Sequence, residues 1–203
     1  MMKTKQEIFW ESDFGDKFHQ RINTEKYLVS NINFFKKILS YCEGIESITE
    51  LGAGGGNNLK AIHKINDRIK LNAVEMFDGA YKLLKQLDFV NSIKASIYDD
   101  FKIDQSDLVF TKTVLIHLNP EKLEIAYDKI YKLSNKYILL AEYFNPTPVT
   151  VNYRGNDDVL FKRDFAKEIL KKYNLEIIKY GFVWAQDLKY PLDDINWFLL
   201  KKK

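Results

Sequence analysis

A chain of 203 residues, 46% hydrophobic and 14% aromatic, is long enough to bury one sizeable core. Its 31 basic and 28 acidic residues leave a net charge of +3, too balanced to argue for a nucleic-acid partner. No apolar run reaches the roughly 18 residues of a membrane span, and the first residues lack the apolar region of a signal peptide. A single cysteine, Cys42, excludes an internal disulfide and suits a reducing compartment. The three histidines stand without paired cysteines, so no metal site is expected. The expectation is one cytoplasmic domain spanning 1–203, with 1–44 as an N-terminal helical lid or cap and the oligomeric state left open.

Glu25 to Tyr41 reads as a helix, because apolar Leu28, Ile32, Phe35 and Leu39 recur at three- and four-residue steps. A strand at 47–51 leads into the turn Gly52-Ala53-Gly54-Gly55-Gly56, and a helix at 57–66 follows. A second strand, 70–75, ends on Glu75, with a helix over 79–87 and a short strand near 91–96 behind it. Asp107-Leu108-Val109-Phe110-Thr111 is an apolar, β-branched central strand. Asn119 as N-cap and Pro120 in the first turn open a helix that runs to Leu133. A strand at 137–143, a loop at 145–158 and a helix at 161–173 come next. Two strands, near 175–184 and 194–200, close the chain through a polar turn and so pair antiparallel. Strands alternating with helices specify a parallel sheet with right-handed crossovers. The predicted fold is α/β and Rossmann-like. It has about seven mostly parallel strands, an antiparallel C-terminal hairpin and helices on both faces.

A strand, a glycine turn and a helix in succession make a nucleotide-binding start. The glycines allow a sharp bend and a ligand close to the backbone. A dinucleotide fingerprint G-x-G-x-x-G from Gly52 requires glycine at 57, where Asn57 stands, and this disfavours an NAD-dependent oxidoreductase. The pattern present is acid-x-Gly-x-Gly-x-Gly, from Glu50, Gly52, Gly54 and Gly56. It resembles motif I of class I S-adenosylmethionine (SAM) methyltransferases. Glu75, with Met76 beside it, lies roughly 20 residues past the glycines, where an acid accepts from ribose hydroxyls. Alone, the loop is equally a surface turn and Glu75 a solvated strand-end charge. Together, each at a strand's C-terminal end, they favour SAM.

The resemblance extends along nearly the whole chain. Glu11-Ser12-Asp13-Phe14-Gly15-Asp16, Glu50-Leu51-Gly52, the run Phe110 to Pro120, Ala141-Glu142-Tyr143-Phe144-Asn145-Pro146, Tyr153-Arg154-Gly155, Leu160 to Phe165, Tyr180-Gly181-Phe182 and Asn196-Trp197-Phe198-Leu199 occur in that order. In these motifs the chain resembles the pseudaminic acid biosynthesis-associated methylases, small bacterial methyltransferases associated with nonulosonic-acid and surface-polysaccharide gene clusters. The resemblance implies SAM as cofactor, S-adenosylhomocysteine (SAH) as product and no metal. It also implies an acceptor hydroxyl or nitrogen on an acidic or nucleotide-activated sugar. The alternatives are a protein side chain, another small metabolite, or a non-catalytic binding subunit.

The strand ends then supply the candidate site. Ser96 and Ile97 are expected beside the adenine, with Asp99 as the alternative to Ser96. Lys112 is expected at the SAM carboxylate or at an acidic acceptor. His117 is the candidate general base, or else a cap for the helix that follows. Glu142 is a second candidate base, with Tyr143 next to it facing the acceptor. Tyr153, Arg154, Lys162 and Arg163 bring a phenol and cations to the same rim, where a guanidinium suits a carboxylate or phosphate. For Lys162 and Arg163 the other reading is the charged first turn of a helix. Phe14-Gly15-Asp16 is expected to close over SAM as a lid.

Overall fold

The computed structural model describes residues 3–12 and 24–203. The Phe14-Gly15-Asp16 segment lies outside them. Helix α1 (Lys5–Trp10) opens on a reciprocal cap: the Thr4 hydroxyl accepts from the Glu7 N–H, and the Glu7 carboxylate accepts from the Thr4 N–H. Helix α2 spans Glu25–Leu39 and begins at Thr24, whose hydroxyl accepts from the Tyr27 N–H. Then come β1 (Ser47–Leu51), α3 (Asn57–Ile65), β2 (Lys70–Glu75), α4 (Asp78–Leu84), β3 (Val90–Lys94) and β4 (Ser106–Lys112). Two short 3₁₀ turns, Leu115–His117 and Pro120–Lys122, precede α5 (Leu123–Leu133) and β5 (Ser134–Glu142). The chain ends with β6 (Val149–Thr150), β7 (Phe161–Lys162), α6 (Phe165–Lys172), β8 (Leu175–Val183) and β9 (Ile195–Lys202).

Seven strands form one sheet in the order β3-β2-β1-β4-β5-β9-β8. Pairing is parallel up to β5, and β9 runs antiparallel to both β5 and β8. The alternation of side chains sorts the core into two layers. Leu108 and Phe110 of β4 and Tyr137, Leu139 and Ala141 of β5 pack under α2 and α3. Val109, Ile138 and Leu140 point the other way, against α5 and α6. Phe35 of α2 meets Phe110 edge-on at 5.2 Å, which seats that helix on the middle of the sheet. Among the described residues no helix is long and apolar enough to cross a membrane.

One sequence expectation, the helix at 161–173, needs correction. Residues 161–162 are not helical but form β7, paired with β6 inside the expected loop. Helix α6 starts only at Phe165, because the Asp164 carboxylate accepts from the Lys167 N–H and sets the cap there. Lys201 and Lys202 belong to β9, and the Lys202 ammonium sits over the Tyr131 ring at 3.9 Å.

Candidate active site

β1 and β4 are neighbours in the sheet, although α3, β2, α4 and β3 separate them in sequence. The chain leaves β1 for β2 and leaves β4 for β5, in opposite directions across the sheet. The two departing turns therefore part and leave a crevice at the strand ends, where doubly wound sheets hold ligands. A cleft of about 960 Å³, counted out into the open solvent at its mouth, lies there. One wall is the glycine turn. Gly52, Gly54 and Gly56 have φ of +74°, +55° and +80°. A Cβ on Gly52 would stand 2.7 Å from Val114 Cγ2, so only glycine lets the turns after β1 and β4 approach this closely.

Two carboxylates stand behind that wall. Glu75 Oε2 accepts from the Gly54 N–H at 2.7 Å, and Oε1 accepts from the Phe77 N–H at 2.7 Å. Burial raises the Glu75 pKa against those two donors. Each of its oxygens keeps a lone pair, and the residue lines the cleft. Glu50 is fully buried at the end of β1. Its Oε1 accepts from Asn58 Nδ2 at 2.6 Å, whereas Oε2 has no partner. Burial pushes the Glu50 pKa up to about 8, opposed by the Asn58 hydrogen bond and by the nearby Lys112 charge.

The opposite wall follows β4. Thr113 adopts φ of +57°, unusual for a β-branched residue. Its N–H donates to the Ala141 carbonyl at 2.9 Å and its hydroxyl to the Lys112 carbonyl at 2.7 Å, which hold it there. The chain then winds into the turn that carries His117. Glu142 secures that turn from beneath: its Oε1 accepts from the N–H groups of Val114 and Leu115 at 3.2 Å each. Burial pushes the Glu142 pKa up to about 7. The His117 Nδ1 lies 2.7 Å from the Val159 carbonyl. A carbonyl can only accept, so Nδ1 carries the proton and Nε2 is the basic nitrogen. Burial lowers the His117 pKa to about 4. Trp10 meets the imidazole edge-on at 4.6 Å, and Tyr153 lies 5.3 Å from it.

The expected site residues therefore separate into groups. Gly52, Gly54, Glu75, Met76, Lys112 and His117 all line the cleft. Gly56 closes the turn against Leu84 and Leu87, where a Cβ would clash at 2.6 Å. Ser96 and Ile97 do not line the cleft. The Ser96 hydroxyl donates to Glu7 Oε1 at 2.6 Å beneath α1, and Ile97 packs into the α5–α6 core layer. Glu142 faces the underside of the His117 turn rather than the cleft, and with Tyr143 and Arg163 it borders a second, smaller pocket. Arg163 Nε donates to Glu168 Oε1 at 2.7 Å, while Lys162 lies over the Tyr143 ring at 5.5 Å. Tyr153 joins the site through His117, with the Arg154 guanidinium over its ring at 5.7 Å. The expected lid residue Phe14 lies outside the described residues.

Sequence reasoning expected a helical cap within 1–44 but did not name the residues that roof the cleft, nor part of its floor. Gln6, Glu7 and Trp10 of α1 line the cleft, as do Tyr27 and Asn58. Thr4-x-x-Glu7 has capping-box spacing, the one sequence signal that marks α1 as a helix. Gln6 Nε2 donates to the Asp158 carbonyl at 2.8 Å, and Lys5 pairs with the Asp158 carboxylate at 3.2 Å.

No known family profile matches the sequence, and no curated protein does. Solved structures do. A 1,6-didemethyltoxoflavin-N1-methyltransferase from Burkholderia thailandensis, with its substrate and SAH bound, superposes with a TM-score of 0.73 at 11% identity, covering 100% of this chain and 92% of that one. Magnesium protoporphyrin IX methyltransferase from Synechocystis PCC 6803, with SAH bound, gives 0.69 at 12% identity over 97% of each chain. An amino pentose methyltransferase from Micromonospora echinaspora, with SAM bound, gives 0.66 at 10% identity, covering 95% and 97%. The chain has the class I SAM-dependent methyltransferase fold.

In that fold the cleft's own chemistry can be tested against SAM. The nucleoside end needs an acceptor for two hydroxyls, and Glu75 has lone pairs facing the cleft. The amino-acid end carries an ammonium and a carboxylate. Glu50, buried behind the cleft wall, has an unpartnered oxygen that would suit the first, and Lys112, which lines the cleft, would suit the second. The residues present fit the group.

Proposed function

We propose that this protein is a methyltransferase that uses SAM and transfers the methyl group to a hydroxyl or nitrogen of a small acceptor, an acidic or nucleotide-linked sugar. The observation that carries the reading is His117 in the same cleft as Glu75 and the glycine turn, with Nδ1 committed to Val159. The chemistry supplied by bound SAM is an electrophilic methyl on a sulfonium. Glu75 would hold the ribose, Gly52 and Gly54 would admit the backbone-close part of the ligand, and Lys112 and Glu50 would hold its charged end. His117 Nε2 would take the acceptor proton. With a pKa near 4 the imidazole stays neutral through the physiological range, so its lone pair is always ready. The same low basicity limits the gain to the lower part of the roughly 10²–10⁴ expected of a general base. Alignment by the roof and walls would supply the larger share, up to about 7–11 kcal/mol in well-oriented reactions.

The roof formed by α1 favours a small acceptor over a protein side chain. Arg154, at the tip of the Tyr153–Asn156 turn, supports an anionic acceptor, and the motif resemblance supports a sugar. A planar, non-sugar metabolite is the second reading, favoured by the Trp10 and His117 rings that line the cleft, with Tyr153 against the imidazole. Incubation with SAM and candidate nucleotide sugars, read by mass spectrometry for a methyl gain, tests the acceptor. Titration calorimetry with SAH tests the cofactor, and an absence of binding would sink the proposal.

A further inference from the structure

Tyr180-Gly181-Phe182 takes no part in the cleft. The three residues belong to β8, which ends the seven-stranded sheet, so among the described residues nothing pairs with its outer edge. Gly181 has a local reason. It is the register partner of Trp197, and a Cβ there would stand 2.7 Å from Trp197 Cζ2. Tyr180 and Phe182 have no such reason. Alternation sends both to the opposite face, and they are 67% and 52% exposed. Trp184, just past the strand, is 55% exposed, and these three are the most exposed aromatic side chains among the described residues. Edge strands are normally guarded by charges or bulges. The first part of β8 is guarded: Glu176 and Lys179 are charged, and the register with β9 shifts between Ile177 and Lys179. The stretch from Tyr180 to Trp184 has neither a charge nor a shift. A row of rings leads up to it instead. Phe144, just past β5, lies 6.4 Å from Phe198 of β9, and Phe198 stacks on Tyr180 at 6.0 Å with the planes 24° apart. The row stops where Tyr180 meets solvent.

An added strand would satisfy the open backbone groups and the interrupted row together. β8 is itself an extended strand with aromatic side chains on the required face. We infer that a second copy of this chain pairs with it, β8 against β8, antiparallel about a two-fold axis through Gly181. That axis sets Tyr180 of each copy opposite the partner's Phe182 on one face, so the row of rings continues across the junction. Lys179 then stands opposite the partner's Val183. An axis through Lys179 would set two ammonium groups against each other, which destabilises a strand pair. The exposed parts of Tyr180, Phe182 and Trp184 come to on the order of 100 Å² each. With Ile177 and the strand backbone, two copies bury roughly 1,200 Å², the lower end of stable interfaces. Such a dimer exchanges with monomer in the micromolar range. The inference does not depend on the SAM reading.

Sedimentation of the full chain over micromolar to submillimolar concentrations is the test. The mass should climb from the 23.9 kDa of one chain towards twice that. Phe182→Glu should raise the dissociation constant about tenfold or more, because a two-fold axis brings in each substitution twice. Tyr180→Lys should do the same and serves if the first variant does not fold. Tyr180→Phe keeps the ring and should leave the constant unchanged. Val29→Glu, at an exposed position of α2, should leave it unchanged too. Amide exchange at residues 180–183 should slow as the dimer fills. A chain that stays a single copy at every concentration overturns the inference. So does a dimer that Phe182→Glu and Tyr180→Lys leave intact, or one that Val29→Glu breaks. Exchange at 180–183 that does not change with concentration places the junction elsewhere and overturns it as well.

Discussion

The Glu75 carboxylate accepts from Gly54 and Phe77 and so ties the turn after β1 to the turn after β2. Glu75→Gln keeps the shape but turns an acceptor into a donor opposite an N–H. SAH affinity should fall about 10–100-fold with little change in melting temperature, because one charge-assisted bond is worth about 1.5–3 kcal/mol. An unchanged dissociation constant would refute the ribose role. Gly52→Ala adds a Cβ at 2.7 Å from Val114 and a left-handed alanine costs about 1–2 kcal/mol, so both stability and SAH binding should drop. For His117, folded pKa about 4 means that turnover should hold steady from pH 8 down past 6 and fail only nearer 4. An acid limb centred on 6.5 would show that the imidazole is solvated during turnover. That the glycines and Glu75 come together was readable because they stand at fixed offsets at the ends of neighbouring strands. Glu142 was misjudged for a physical reason: a strand-end acid looks the same whether it meets a ligand or the N–H groups of a neighbouring turn. Ser96 was placed by counting along a strand, and counting cannot reveal that Glu7 covers it.

At the scale of elements, α1 is too short to carry a helical period in its sequence. Its six residues do not stand by intrinsic propensity. They are held by Ser96, Asp158 and the edge contact of Trp10 on His117. Such an element opens at low cost. Trp10→Ala should lower kcat several-fold while SAH affinity changes less, since the ring touches His117 more directly than the glycine wall. Steady-state rates with a known acceptor and calorimetry with SAH would separate the two effects, and equal losses in both would make α1 a cofactor clamp instead. The strap at 151–160 was legible only as a loop. The β6–β7 pairing that closes it and the contact of Val159 with His117 are not written in any local pattern.

The parallel sheet and its antiparallel closing pair were legible because strands alternating with helices leave few ways to connect them, although the strand order came only from the structure. What the pattern could not show was where charge ends up inside. Glu50 and Glu142 have folded pKa values of about 8 and about 7 against an ordinary 4.5. Groups raised in this way contribute stability below pH 4.5 that is lost as pH climbs through their folded values. His117, lowered from 6.5, works in the opposite sense, but only at lower pH. From pH 6.5 to 8 the carboxylates alone act, so the ligand-free protein should melt at a lower temperature at pH 8 than at 6.5. Glu50→Gln should flatten that slope, and excess SAH should offset it by giving the ionised Glu50 a cation. A melting temperature that rises over the same interval would contradict the assignment of buried carboxyls with raised pKa values.

Asp158 and Val159 are consecutive. The carbonyl of the first accepts from α1, and that of the second fixes the imidazole proton. Asp158 holds a left-handed backbone, φ +60°, to make both possible. Whatever lifts the helix must therefore tug on the atom that decides which imidazole nitrogen is bare. On the proposed reading, enclosure and proton readiness would rise and fall in step, and a reactive posture would be assembled only when stray water has been shut out.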